Sequence, residues 1–242
     1  MGLERLLGTM TLSFQAFPTR DAMFAALADD VAELLIEAVA ARGEALLLAT
    51  GGVAVIPFYE TLAARSLPWA RITVLPSDAR WLPEDQDGSN DGMIRRTLLQ
   101  GPGAAARFEP LYGAEPTPEA ALPRLRALFD TLPPADVALL GIGEDGHTAA
   151  FFKGSRGFDA AVDPHGPATF VSIYAPNGAM TPHRLTLTLP ALLQARAVRL
   201  MFFGEAKRAL YDAALRPGPV EELPVRTILY QDKTPVEVYW AA

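Results

Sequence analysis

The chain reads as an α/β protein in which a mostly parallel sheet is sandwiched by helices. Three observations predict this. Short, wholly apolar runs such as Ala45 to Ala49 and Val137 to Leu140 suit strands buried on both faces. Between them lie stretches with apolar residues at helical spacing. Glycine-bearing turns, Gly51-Gly52 and Gly141 to Gly146, follow two of the runs. Strands alternating with helices imply parallel pairing with both sheet faces covered.

The elements follow in order. Arg20 to Arg42 is predicted helical, because Phe24, Leu27, Val31, Leu34 and Leu35 recur at helical spacing and Gly43 ends the run. Ala45 to Ala49 is a buried strand, Gly51-Gly52 a turn, and Ile56 to Ala64 a helix. Arg71 to Leu75 is the next strand. Pro76 to Gly88 reads as a polar loop leading to a helix from Asn90 to Leu99. Pro118 to Leu132 is helical and Asp136 to Leu140 is a strand. Ala168 to Tyr174 is a strand, as is Arg184 to Leu189, where Leu and Thr alternate as on a half-buried face. Pro190 starts a short helix. Ala197 to Phe203 is a strand and Glu205 to Leu215 a helix. Thr227 to Tyr230 and Val236 to Tyr239 are short closing strands. Gly101 to Gly103 and Pro217 to Pro219 read as loops rather than linkers, so residues 1–242 are expected to form one domain. Met1 to Thr9 show no clear element; residues 1–10 are a disordered or alternative start, with Met10 as the second initiator.

Composition narrows the function. Half of the 242 residues are hydrophobic, enough for a sizeable core. A net charge of -7 argues against a nucleic-acid partner. It leaves room for an anionic small molecule, because a local basic pocket can override the global field. The absence of cysteine excludes disulfides, thiol nucleophiles and cysteine-zinc sites, and fits a cytoplasmic protein. The apolar stretch Ala45 to Tyr59 is broken by Gly51-Gly52 and Pro57, so no membrane span is expected, and no secretory signal is legible near Glu4 and Arg5.

The most informative segment is Gly141-Ile142-Gly143-Glu144-Asp145-Gly146-His147-Thr148-Ala149-Ala150. It leaves a buried strand at its carboxyl end, where ligands bind in open α/β sheets. Glycine permits a sharp turn and a close approach to a ligand. Histidine is the side chain suited to moving protons near neutral pH. The pattern alone admits two readings: a catalytic turn, or a helix start capped by Asp145 and His147. His165 and His183 sit beside Gly or Pro and read as loop residues. No cluster has metal-ligand spacing.

Four segments together carry a family resemblance. Gly141 to Ala150 resembles the GxGxDGHTAS signature of 6-phosphogluconolactonases. Ser77 to Pro83, followed by Ser89-Asn90-Asp91-Gly92-Met93, is similar to their DERxVP and SNxGM segments. His183 to Pro190 looks like their R(I/L)T(L/M)TLPAL strand, and Gly204-Glu205-Ala206-Lys207 resembles their G-x-x-K. The order matches from about Phe14 to the C-terminus. The resemblance implies a modified Rossmann-like fold, shared with glucosamine-6-phosphate deaminase and ribose-5-phosphate isomerase. It implies cofactor-free, metal-free hydrolysis of 6-phospho-D-glucono-1,5-lactone in the oxidative pentose phosphate pathway, by a monomer or weak homo-oligomer.

On that resemblance, His147 is the general base and Asp145 orients it or holds the water. Arg80 offers a planar fork for the developing negative charge, or else pairs with Asp78 or Asp145. Asp78 supports Arg80. Thr50, Gly51, Gly52, Arg184 and Lys207 are the substrate and phosphate ligands. Asn90 either meets sugar hydroxyls or caps a helix. Two positions depart from the family. Its first glycine loop usually reads SGG(S/R)(T/S)P, whereas Val53 and Ala54 here are apolar, and Ala79 replaces the Glu of DER. The departures keep three alternatives in view: a lactonase for another sugar lactone, an isomerase or deaminase, and a non-catalytic sugar-phosphate binder.

Overall fold

The computed structural model describes residues 12–176 and 178–242; the alternative start at Met10 lies outside them. The described residues begin in strand β1 (Leu12–Phe17), which sequence reading does not anticipate. Thr19 then caps α1 (Arg20–Arg42), accepting from Ala22 N at 3.1 Å. Gly43 ends this helix in the left-handed region, φ 86°, and its N–H reaches Val39 O at 2.8 Å. β2 (Ala45–Ala49) is buried throughout, as its wholly apolar sequence requires. A 3-10 turn, Val53–Val55, leads into α2 (Ile56–Ala63), and β3 (Ile72–Pro76) follows.

One residue, Ser77, separates β3 from β4 (Asp78–Arg80). This corrects the expected loop over Pro76 to Gly88. Asp, Ala and Arg have little intrinsic strand preference, and what makes them a strand is distant pairing with Arg184 to Thr186. The chain continues through α3 (Asn90–Thr97), β5 (Arg107–Phe108), α4 (Pro118–Phe129) and β6 (Val137–Gly141). After the Gly141 to Ala150 turn come α5 (Phe158–Val162), β7 (Phe170–Tyr174), β8 (His183–Leu187) and α6 (Leu189–Leu192). His183 is thus the first residue of a strand rather than a loop residue. β9 (Ala197–Phe203), α7 (Glu205–Ala214), α8 (Arg226–Leu229) and β10 (Val236–Ala241) complete the chain.

The strand expected at Thr227 to Tyr230 is helical instead. Val225 N is anchored on Gly146 O at 2.9 Å, and Tyr230 N closes on Arg226 O at 2.9 Å. The β-branched residues here obey this tertiary anchor rather than their local preference.

The described residues form a seven-stranded parallel sheet in the order β1-β10-β9-β6-β2-β3-β5. Helices α1 and α2 cover one face with Leu27, Val31, Leu35, Phe58 and Leu62, all fully buried. The other face packs against α4 and a three-stranded antiparallel sheet, β4-β8-β7, through Leu125, Leu185 and Leu187. Each such aliphatic side chain contributes about 1.5–3 kcal/mol by leaving water. The chain runs from β2 outward to β3 on one side, and from β6 outward to β9 on the other. β2 and β6 are neighbours, so a topological switch point opens between their carboxyl ends, where such sheets bind ligands.

Candidate active site

The loop after β2 and the turn after β6 border a cavity of about 270 Å³ at this switch point. Thr50, Gly51, Gly52, Asp78, Arg80, His147, Arg184 and Lys207 all line it. Asp145 lies on a contiguous outer recess of about 820 Å³, which shares Arg80, His147, Arg184 and Lys207 with the inner cavity. Asn90 lies directly behind Gly51: a Cβ on Gly51 would run into its amide group.

The turn after β6 is built to hold an imidazole. Asp145 Oδ1 accepts the backbone N–H of His147 at 3.1 Å, an Asx turn. The same oxygen is hydrogen-bonded to His147 Nδ1. That bond, the largest influence, pulls the Asp145 carboxyl down to about 2. An ionised Asp145 accepts, so Nδ1 carries a proton, and in the neutral imidazole the lone pair is on Nε2. Gly143 is needed beneath the ring, because a Cβ there would collide with the imidazole. Gly146 adopts φ 79° and donates to Gly143 O at 3.1 Å. No helix starts at this turn, and the next one begins at Phe158, so Asp145 and His147 cap nothing. Ala149 sits at φ 46°, a left-handed conformation uncommon for a residue with a Cβ.

Two arginines come from the small sheet. Arg80 of β4 and Arg184 of β8 face each other as antiparallel partners. Arg80 Nη1 donates to Gly88 O at 2.7 Å, and Arg184 Nη2 to Ala179 O at 2.8 Å. Each retains a buried Nε with no partner among the described residues. Neither forms an ion pair with Asp78 or Asp145 among those residues; Arg80 is anchored by a loop carbonyl instead. Burial lowers the Arg184 pKa, the Asp78 charge opposes that, and Arg80 adds to it.

Asp78 is the anion beneath these cations. Burial raises its pKa, while Arg184, His147 and Arg80 pull the other way. It accepts from Ser77 Oγ and Asn90 Nδ2, both at 3.2 Å. Asn90 Nδ2 also donates to the Asp78 backbone carbonyl at 3.0 Å. The helix cap expected of Asn90 is made by Ser89, whose Oγ accepts from Gly92 N at 3.2 Å.

Gly52 and Gly204 supply matching turns after β2 and β9, at φ 93°, ψ 153° and φ 85°, ψ 152°. Glycine alone adopts that region readily. The second turn delivers Lys207 into the first turn of α7, half-buried and facing the cavity. Burial lowers its pKa, and nearby Glu144 opposes the change. In the first turn the expected polar side chains are absent: Val53 is 81% exposed beside the cavity.

Two residues of the site escape sequence reading. Tyr59, fully buried, donates its hydroxyl to Thr50 O at 2.7 Å and pins the glycine loop. Phe152 packs on both His147 and Arg184. The only signal for Phe152 is an aromatic pair, Phe151-Phe152, directly after the turn. Among the described residues, no three His, Asp or Glu side chains converge as a metal ion would require. No described helix is long and apolar enough to cross a membrane.

Comparison with known proteins agrees with this architecture. A 6-phosphogluconolactonase of Pseudomonas putida is 36% identical over 99% of this chain and 97% of its own. The crystal structure of a 6-phosphogluconolactonase from Shewanella baltica OS155 superposes with a TM-score of 0.90 at 35% identity, covering 96% of this chain and 98% of that one. A monomeric glucosamine-6-phosphate deaminase shares the fold, with a TM-score of 0.76 at 18% identity over 95% of this chain and 97% of its own. The family model described as glucosamine-6-phosphate isomerases/6-phosphogluconolactonase matches residues 18–240, and the chain belongs to that family.

Proposed function

We propose that this chain is a carboxylic-ester hydrolase that opens 6-phospho-D-glucono-1,5-lactone to 6-phospho-D-gluconate, acting as one domain, monomer or weak homo-oligomer, in cytoplasmic pentose phosphate metabolism. The observation that carries the mechanism is the Asp145–His147 pair at a cavity that two arginines line, with no hydrogen bond to Nε2 among the described residues. His147 Nε2 takes a proton from water as the oxygen adds to the lactone carbonyl carbon. Arg80 stabilises the oxyanion that forms on the carbonyl oxygen. The tetrahedral intermediate collapses, the bond from carbonyl carbon to ring oxygen breaks, and the imidazolium returns the proton to that oxygen. The new carboxylic acid then ionises, so each turnover releases one proton. Asp145 keeps the imidazole in the required tautomer. Asp78, held by Ser77 and Asn90, steadies the arginine pair. Asn90 acts through Asp78 and through its packing on Gly51.

Phosphate recognition rests on Lys207, Arg184 and the backbone N–H groups of Gly51 and Gly52 beside Thr50, an anion-binding turn without charged side chains of its own. A second reading, turnover of an unphosphorylated sugar lactone, is favoured by one observation: exposed Val53 and neighbouring Ala54 offer the cavity no polar group. The test is proton release from freshly made 6-phosphogluconolactone, with spontaneous hydrolysis subtracted. Acceleration by the purified chain supports the proposal. A folded chain that leaves the spontaneous rate unchanged contradicts it.

A further inference from the structure

Phe152 takes no part in the steps above, yet it touches two groups that do. Its ring centroid lies 4.3 Å from that of His147, with the planes tilted by 39°. The Arg184 guanidinium carbon lies 4.7 Å from the same centroid, over the ring. Phe152 also lines both the inner cavity and the outer recess. We infer that Phe152 is a positioning residue, which rests on the lactonase reading: its ring holds the Arg184 guanidinium and sets the tilt of the His147 imidazole.

Restraint elsewhere is thin for both groups. Arg184 has one side-chain hydrogen bond among the described residues, from Nη2 to Ala179 O, and its Nε has none. It also faces a like charge across the strand pair, Arg80. An aromatic face attracts a guanidinium through its negative quadrupole, which an aliphatic side chain of similar size cannot do. For His147, the bond to Asp145 fixes the Nδ1 edge and leaves the ring free to tilt about it. The contacts with Gly143 and Phe152 remove that freedom.

The backbone is arranged to present this ring. Ala149 adopts φ 46°, and the next turns close through Phe151 N to Thr148 O and Phe152 N to Ala150 O, both at 3.0 Å. The result separates two adjacent aromatics. Phe151 is fully buried in the core, whereas Phe152 faces the site. Backbone strain of this kind persists where the surroundings impose it, and it clusters at functional sites.

The test compares Phe152→Leu, which keeps the bulk and loses the aromatic face, with Phe152→Tyr, which keeps the face. Phe152→Leu should lower kcat about tenfold through misplacement of His147 and raise KM about fivefold through Arg184. Phe152→Tyr should stay within about twofold of wild type in both. In an Arg184→Lys background, which loses the planar stack, Phe152→Leu should add little to KM. If Phe152→Leu does not fold, Phe152→Met gives the same comparison at a partly exposed position. Three results would overturn the inference: an aliphatic variant with wild-type kcat and KM, a tyrosine variant as impaired as leucine, or KM effects additive with Arg184→Lys. If the wild type hydrolyses no lactone, the lactonase reading fails separately. Calorimetric binding of 6-phosphogluconate then decides, with weaker binding by Phe152→Leu than by Phe152→Tyr expected, and equal binding overturning the inference.

Discussion

The loop after β2 and the turn after β6 leave the carboxyl ends of neighbouring parallel strands and border one cavity. They are built differently. The β6 turn carries two ionisable side chains held by named contacts, Asp145 on His147 and His147 over Gly143, and its backbone is tied at Gly146 to Gly143 and Val225. The β2 loop carries glycines and apolar residues, and it is held from outside by Tyr59 and Asn90. Reaction chemistry needs a particular atom in a particular protonation state, so it requires side chains. Anion recognition can be met by backbone N–H groups with cations brought from other elements. In the proposed reading those cations are Arg184 from β8 and Lys207 from α7. On that reading a loop without polar side chains can still serve an anion site whose charges come from other elements.

The sharpest way to break this contrast is to remove the base. His147→Ala should lower kcat by roughly 10²–10⁴ with stability little changed, because the side chain is half-buried and outside the packed core. Steady-state kinetics beside a thermal melt checks both halves. The pH profile sharpens the point. Asp145 stays ionised down to about 2, so activity lost at milder acidity does not come from protonation of Asp145.

Next in size is Arg80→Lys. It keeps the charge and loses the planar fork that reaches Gly88 O and the cavity together. A fall in kcat/KM of about 10²-fold is expected, the loss typical of one oxyanion donor. An unchanged kcat/KM would reduce Arg80 to a scaffold residue for the Gly88 loop.

The β2 loop itself should respond more weakly. Val53→Ser with Ala54→Thr adds hydroxyl donors where the family usually has polar side chains. A neutral donor meeting a charged group contributes roughly 1.5 kcal/mol at the low end of its range, so KM for the phosphorylated lactone should fall about tenfold. The plain lactone should not respond.

A further effect, on stability rather than turnover, lies in α3 beside Asn90. Asp91 is 1% exposed; its Oδ2 accepts from Tyr112 N at 2.9 Å, and its Oδ1 has no partner among the described residues. Burial pushes its carboxyl up to about 6. A raised carboxyl favours folding below the unfolded pKa, about 3.9, and that contribution is lost as pH rises through 6. Asp91→Asn should therefore gain on the wild type across this window, by roughly 1–3 kcal/mol at its plateau. Denaturant melts at pH 4.5 and 7.5 measure it. An equal difference at both pH values would mean that Asp91 is not strained by burial.

The same contrast explains what the sequence reveals. Buried parallel strands such as Ala45 to Ala49 and Val137 to Leu140 are legible because both faces demand apolar residues. The β6 turn is legible because its chemistry is local, and Asp145, Gly146 and His147 act on one another. Edge strand β1 is half-exposed and alternates weakly. β4 exists only through its pairing with β8, more than a hundred residues away. Thr227 to Tyr230 has strand-like residues but takes its shape from Gly146. The Arg80–Arg184 pair, the clamp of Asn90 on Asp78, and Phe152 against both His147 and Arg184 are all non-local, and residue spacing carries no trace of them.

The central claim is that cations from other elements, Lys207 above all, complete an anion site to which the β2 loop contributes only backbone N–H groups. It is tested most directly by the ratio of kcat/KM for 6-phosphogluconolactone to that for plain gluconolactone, in wild type and in Lys207→Ala. The account predicts a strong preference of the wild type for the phosphorylated lactone. It also predicts a KM rise of about 10–100-fold for that substrate alone in Lys207→Ala, the loss of one charge-assisted contact. Equal turnover of both lactones by the wild type, with neither altered in Lys207→Ala, would contradict it and assign the site to an unphosphorylated lactone.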